Sequence, residues 1–180
     1  MKHAFLDVEA FRLKKPWMAP LVNVAAVTFD EYANVHSSID LYVEPSQFPV
    51  WSQPEASTLT WWQQQDKWKD LMNRVHMLGD FPSEVLKKLK GFLDSEGVEA
   101  FWFAGPQYDQ IMLEAYFDGF DMEHPWKYNQ ARDFRTIRKQ HMDLLESFPK
   151  NPNAHLALED CLYDISRLRH ITEQRGITWK

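Results

Sequence analysis

Residues 3–9 place Phe5, Asp7 and Glu9 on one side of an alternating pattern and Ala4, Leu6 and Val8 on the other. That predicts a strand, because successive strand side chains point to opposite faces. The run Val22-Asn-Val-Ala-Ala-Val-Thr-Phe29 is short, apolar and rich in β-branched residues, as a buried strand requires. Ile39 to Val43 predicts a third strand, ended by Pro45, and three successive strands with short connections predict an antiparallel meander. From Thr60 to about Leu78 the apolar spacing becomes helical, beginning near Thr58-Leu-Thr-Trp-Trp62. Ser83, following Pro82, reads as the N-cap of an amphipathic helix through Glu84-Val-Leu-Lys-Lys-Leu-Lys-Gly-Phe-Leu93. A strand over 98–103 runs into the turn Ala104-Gly105-Pro106, and a helix follows from Tyr108 to Phe117. Helices from Asp133 to about Leu145 and from Ala157 to about Ile171 complete the pattern.

Strands come first and then alternate with helices, an order that predicts an α/β fold with a mixed sheet covered by helices on its faces. There is no internal repeat, linker composition or charge run, so residues 1–180 are expected to form a single domain, with the Pro-rich stretch 45–54 as a loop.

Composition narrows the class. A length of 180 residues suits one domain with a real core, and 44% hydrophobic with 14% aromatic residues excludes a disordered chain. Eight tryptophans are many for this length; they serve either the core or a groove that stacks bases. The opening Met-Lys-His-Ala-Phe-Leu-Asp-Val-Glu has acids where a signal peptide needs an unbroken apolar run. No stretch approaches the roughly 20 apolar residues of a membrane span. The lone Cys161 excludes an internal disulfide and a cysteine zinc cluster, and the H-E-x-x-H zinc motif is absent. The expectation is a cytoplasmic protein with no membrane partner. A net charge of -6 and pI of about 5.6 argue against charge-driven coating of duplex nucleic acid. They leave room for an enzyme acting on a nucleic-acid end, since divalent cations neutralise an acidic cluster in use.

The candidate chemistry is carried by acids. Asp7 and Glu9 stand at i and i+2, so a strand presents both on one face. Two carboxylates that close repel unless one is protonated or a hard divalent cation sits between them; taken alone, the pair also fits a solvated strand end. Asp109 falls in the first turn of a helix, where the helix dipole favours an acid for structural reasons as well. His155 and Asp160 are five residues apart, roughly 140° on a continuous helix. They converge only if His155 lies in the loop before the helix and Asp160 within it, and Pro152-Asn153 fits such a start. On that helix Asp160, Asp164 and Arg167 form the polar face, against a stripe of Leu158, Cys161, Leu162, Ile165 and Leu168.

In order and context, these signals resemble the DEDDh branch of the DnaQ-like 3′–5′ exonucleases. Phe5-Leu-Asp-Val-Glu9 matches the first motif, Gly105-Pro-Gln-Tyr-Asp109 the second, and His155-Leu-Ala-Leu-Glu-Asp160 the third, with the His-x4-Asp spacing of this branch. Thr58-Leu-Thr-Trp-Trp-Gln-Gln-Gln65 and Tyr128-Asn-Gln-Ala-Arg-Asp-Phe-Arg-Thr136 are similar to strings in compact DexA-type phage and bacterial exonucleases. The chain departs from the pattern at Ala10, where Thr or Ser is common, and lacks the Gly that often follows.

The resemblance implies an RNase H-like fold, a five-stranded mixed sheet with three antiparallel strands followed by parallel ones. It implies two divalent cations, Mg2+ or Mn2+. Asp7 would bridge them, Glu9 and Asp160 would complete one site, Asp109 would hold the second, and His155 would act as general base. The implied partner is single-stranded nucleic acid with a free 3′ end, cut to nucleoside 5′-monophosphates. DNA is the favoured polymer, with an exoribonuclease or oligoribonuclease, or a catalytically silent single-strand-binding module, as alternatives; relatives also suggest a homodimer. Ala10, Phe11 and Tyr108 are the candidates for binding the terminal nucleotide, the two rings by packing on its base or sugar. Trp61 and Trp62, adjacent on a helix, cannot both face the core squarely. Arg132 and Arg135 are possible phosphate contacts without an assigned role.

Overall fold

The structure, a computed structural model, describes residues 1–180. Its strands are β1 (His3–Ala10), β2 (Leu21–Phe29), β3 (Val35–Val43), β4 (Gly79–Asp80), β5 (Ala100–Phe103) and β6 (Ala131–Asp133). They form one sheet in the order β4-β3-β2-β1-β5-β6. β1, β2 and β3 pair antiparallel, while β5 joins β1 in parallel and β6 joins β5 in parallel. The expected mixed sheet is therefore present, with six strands in place of five. The additional pairing is β4, two residues alongside the end of β3, too short to leave any periodic signature. β6 is three half-buried residues, Ala-Arg-Asp, and is equally silent in the pattern.

The helices are α1 (Ala56–Gln63), α2 (Trp68–Leu78), α3 (Pro82–Glu96), α4 (Asp109–Gly119), α5 (Phe134–Gln140), α6 (Met142–Leu145) and α7 (Ala157–Arg175). The helix expected from Thr60 to Leu78 is two helices, broken by a turn over 64–67. The helix expected from Asp133 is likewise split at His141, and Asp133 is the cap of α5: its carboxylate accepts from the Arg135 N–H at 2.9 Å. Ser83 is not an N-cap. Pro82 takes the first helical position, where its missing N–H costs nothing, and α3 ends at Gly97 in the left-handed conformation at φ 64°.

Both faces of the sheet are covered. Ala4, Leu6 and Val8 of β1 pack with Leu86, Leu89 and Leu93 of α3 and Met112, Leu113, Tyr116 and Phe117 of α4. On the other face Phe5, Ala25 and Val27 meet Cys161, Ile165, Leu168 and Ile171 of α7. All nine residues of β2 are buried, which is why that strand reads as a continuous apolar run. A third cluster joins Phe11, Val22 and Tyr42 to Trp62, Leu71 and Val75, and ties α1 and α2 to the sheet. No helix is long and apolar enough to cross a membrane.

Candidate active site

The carboxyl ends of β1, β5 and β6 lie at one edge of the sheet, the side on which open α/β sheets receive ligands. Asp7 and Glu9 sit near the end of β1, opposite Ala25 and Asn23 of β2. The register shifts between Glu9 and Ala10, a bulge of the kind that re-aims a side chain beside a site. The carbonyl freed there is satisfied by the indole N–H of Trp62, which donates to the Ala10 oxygen at 3.0 Å. Neither Asp7 nor Glu9 accepts a hydrogen bond from the protein, and burial together with neighbouring carboxylates pushes both well above the usual carboxylate range.

Asp109 enters from β5 through the turn at Gly105. Its Oδ2 accepts the Gly105 N–H at 3.0 Å, and it is only 5% exposed. Burial pushes it up to about 7, opposed by that hydrogen bond and by the charge of Arg135.

His155 and Asp160 converge as the spacing required. His155 lies just before α7, held in the left-handed region at φ 72°, an uncommon conformation for a side chain of its size. Its backbone N–H donates to Asp160 Oδ2 at 2.8 Å, and Asn151 Nδ2 donates to the other carboxylate oxygen at 2.6 Å. Burial raises the Asp160 carboxyl, and the two hydrogen bonds oppose that rise. One ligand atom each of Glu9, His155 and Asp160 lie within 4.8 Å of one another. The imidazole is flanked by the rings of Trp61, at 4.9 Å and 88°, and Trp62, at 5.9 Å and 80°, edge-to-face contacts that hold the histidine without consuming its ring nitrogens.

Four carboxylates from three separate segments thus share a half-buried site with no hydrogen-bonded cation of the protein among them. A bare arrangement of this kind is unfavourable, and oxygen-rich donors with one imidazole fit hard divalent cations. Asp7, Glu9, Asp109 and Asp160 are therefore suited to hold such ions.

Beside Glu9 opens a pocket of about 440 Å³, walled by Ala10, Tyr108, Trp61 and Trp62 and rimmed by Arg12 and Lys14; ligand pockets are commonly of this size. Tyr108 lines the pocket, and its hydroxyl donates to the Arg12 carbonyl, which holds the ring in place. Ala10 contributes backbone and a mostly covered methyl. Phe11 does not fit its expected role. It is 5% exposed and packed against Phe48 and Trp68, because the chain leaving the bulge turns its ring into the third core cluster. The exposed ring at the pocket is Trp61, at 42%, while Trp62 is buried.

Sequence reasoning missed the residues that orient others. Asn151, nine residues before Asp160, had no motif to mark it. Asn23, inside an apolar strand, did carry a signal, because a lone amide in a buried run must find partners. Its Oδ1 accepts the Ala157 N–H at 3.1 Å at the start of α7, and its Nδ2 donates to Asp40 Oδ1 and the Leu41 carbonyl at 2.8 and 2.9 Å. Asp164, next to the site on α7, is pushed up to about 6 by burial and pairs with Arg167 at 3.1 Å.

The fold is shared with solved nucleases at low sequence identity. Escherichia coli exonuclease I in complex with a dT13 oligonucleotide superposes with a TM-score of 0.73 at 13% identity, over 97% of this chain and 42% of that one. The cell-death related nuclease CRN-4 gives 0.72 at 16%, over 96% and 64%. The nuclease domain of 3′hExo, a DEDDh family member bound to rAMP, gives 0.69 at 13%, over 99% and 96%. The chain thus spans about two fifths of exonuclease I and nearly the whole 3′hExo domain. No curated protein sequence matches it. The family described as the Rv2179c-like 3′–5′ exoribonuclease domain matches residues 2–172, and the chain belongs to that family.

Proposed function

We propose that the protein is a divalent-cation-dependent 3′–5′ exonuclease that trims single-stranded nucleic acid, with RNA as its polymer, and releases nucleoside 5′-monophosphates. The observation that carries this reading is the gathering of Asp7, Glu9, Asp109 and Asp160 at one sheet edge with His155 beside them. The sequence alone leans towards DNA; the exoribonuclease description of the family favours RNA.

Asp7, Glu9 and Asp160 would hold one cation, and Asp7 with Asp109 a second. When bound, Mg2+ or Mn2+ supplies charge stabilisation at the phosphate and makes a water more acidic. His155 accepts the proton of the attacking water, a role suited to an imidazole near neutral pH. Its ring is kept in place by Trp61 and Trp62, and its backbone by the bond to Asp160. The pocket beside Glu9 receives the terminal nucleoside, with Trp61 and Tyr108 as apolar walls for the base or sugar; base stacking on an aromatic ring is worth about 1–3 kcal/mol and is tolerant of sequence.

The test uses 5′-labelled single-stranded RNA and DNA of one sequence, incubated with Mg2+, with Mn2+ and with chelator. A ladder that shortens from the 3′ end of the RNA, only when metal is present, is expected. Shortening of DNA alone would reverse the polymer assignment, and no metal-dependent shortening of either would remove the enzyme reading. Asp109→Ala should abolish cleavage while leaving the far-UV circular dichroism unchanged.

A further inference from the structure

Arg12, Arg74, Arg132, Arg167, Arg169 and Arg175 each donate a side-chain hydrogen bond within the protein. Arg135 and Arg138 do not: only the backbone N–H of Arg135 is engaged, at the Asp133 cap. Both lie on α5, three residues apart and therefore on one face of the helix. An unpartnered arginine on a short helix is ordinary; two on the helix that abuts the acidic site are a specific arrangement.

Their placement follows from the sheet. α5 begins directly after β6, and β6 lies beyond β5 from β1. Moving along the carboxyl edge, one meets Asp7 and Glu9 on β1, then Gly105 and Asp109 after β5, and then Arg135 after β6, while the aromatic pocket adjoins the first two through Glu9, Ala10 and Tyr108. Two strand spacings separate β1 from β6, about 10 Å. The guanidinium of Arg135 lies over Gly105: a Cβ built on that glycine would meet Arg135 Nη2 at 2.9 Å and Cζ at 3.3 Å. The same glycine donates its N–H to Asp109, so Arg135 stands beside the Asp109 end of the acid cluster, outside the lining of the pocket. Arg138 lies one turn further on, half-buried, and its charge acts on Asp164.

We propose that Arg135 and Arg138 bind the backbone phosphates that precede the scissile one, and so hold the body of the strand while the terminal nucleotide occupies the pocket. This rests on the exonuclease reading above. With the terminal nucleoside beside Glu9 and the scissile phosphate at the four acids, the strand leaves towards β5 and β6 and passes α5. Guanidinium groups are suited to phosphate oxygens through paired N–H donors. A free pair at this point gives the chain, acidic as a whole, a local anchor for a polyanion. Because the contacts are to phosphate, they carry no base preference.

The experiment compares two substrates in wild type, Arg135→Ala, Arg138→Ala and the double variant. One is a 5′-labelled single-stranded RNA of ten nucleotides. The other is the p-nitrophenyl ester of a nucleoside 5′-monophosphate, whose nitrophenolate leaving group replaces the whole upstream strand. Each single variant should lower kcat/KM on the ten-mer by about tenfold or more, chiefly through KM, and by a several-fold larger factor than it lowers ester hydrolysis. The dependence of log(kcat/KM) on log[salt] should flatten by about 0.7 per arginine removed, and Arg135→Lys should restore part of the loss. Arg169→Ala, which removes an exposed arginine paired to Glu173, serves as the control and should change neither substrate. Equal losses on both substrates would place the arginines in the acid centre and overturn the proposal, as would an unchanged rate on the ten-mer. Wild-type protein inert on both substrates would instead defeat the exonuclease reading on which the proposal stands.

Discussion

Replacing Asn23 tests whether α7 is pinned to the sheet from inside the core. The side chain is fully buried, and its three hydrogen bonds reach the first N–H of α7, the Asp40 carboxylate and the Leu41 carbonyl. Asn23→Ala leaves the Ala157 N–H, itself fully buried, without its acceptor, and a stranded buried donor costs about 1–3 kcal/mol. The Leu41 carbonyl loses a partner as well. Asp40 is spared most of the damage, because it keeps the Tyr42 hydroxyl at 2.6 Å and Arg74 at 3.7 Å. A small cavity adds to the total, giving a loss of about 2–4 kcal/mol. For a domain of this size that is about 5–15 °C in Tm.

Asn23→Leu, which refills much of the space and restores none of the bonds, should lose a similar amount, whereas a purely volumetric role would make it much the milder variant. Urea unfolding followed by circular dichroism gives the free energies, and amide exchange at Ala157 reports the bond itself. Since that bond fixes where α7 begins, five residues after Pro152 and directly behind His155, kcat should fall as well. A stability within 0.5 kcal/mol of wild type for Asn23→Ala, or unchanged protection at Ala157, would refute the reasoning.

The metal-free site predicts an inverted pH dependence. The Asp109 carboxyl is raised from 3.8 to about 7, so its stabilising protonated form is fully present below pH 4 and lost as pH rises through 7. Without metal, unfolding free energy should fall by on the order of a few kcal/mol across that window; Asp109→Asn should flatten the fall, and Mg2+ should restore stability to wild type at neutral pH. A flat metal-free profile between pH 4 and 8 would count against it. His3, 1% exposed, stacks on Phe29 and accepts from the Trp102 indole at 3.1 Å, and burial lowers its pKa. Its contribution is present above pH 6.5 and lost as pH falls through the lowered value, so NMR titration should find this imidazole neutral below 6.5; titration at or above 6.5 contradicts the burial. Trp61→Ala removes one ring against His155, a contact of about 0.5–1.5 kcal/mol, and should lower kcat on the nitrophenyl ester about two- to tenfold. An unchanged kcat would mean that Trp62 alone holds the ring.

How much of this was legible depended on what each residue is asked to do. Asp7 and Glu9 were readable because strand alternation fixes their shared face whatever surrounds them. His155 and Asp160 were readable because only one local arrangement, a loop-to-helix junction, brings a spacing of five to a single point, and the structure has that junction. Phe11 misled because the bulge after Glu9 and the turn beyond it decide where its ring goes, and a bulge leaves no periodic trace. β4 and β6 were invisible for a related reason: two or three residues carry no period, and their pairing is imposed by strands already in place. The break between α1 and α2 hid inside a stretch whose helical spacing survives the turn at 64–67. Asn151 and Asn23 act through other residues, and a polar side chain's choice of partner is a tertiary fact.

The distribution of charge answers the objection raised by the sum. At -6 the chain should repel a polyanion, yet much of its surface acid is locally balanced: Glu84 by Lys87, Asp80 by Lys88, Asp94 by Lys90, Glu96 by Lys2, Glu173 by Arg169. Such exposed pairs add little stability, but each cancels its own field within a Debye length of about 8–10 Å. The acids gathered at the sheet edge are a separate matter, because cations held there would reverse their effect on a phosphate. The arginines left without a partner are those beside them. On the proposed function, an approaching strand would meet the net charge at long range, where salt screens it, and the cation-loaded acids and the two unpartnered arginines at contact.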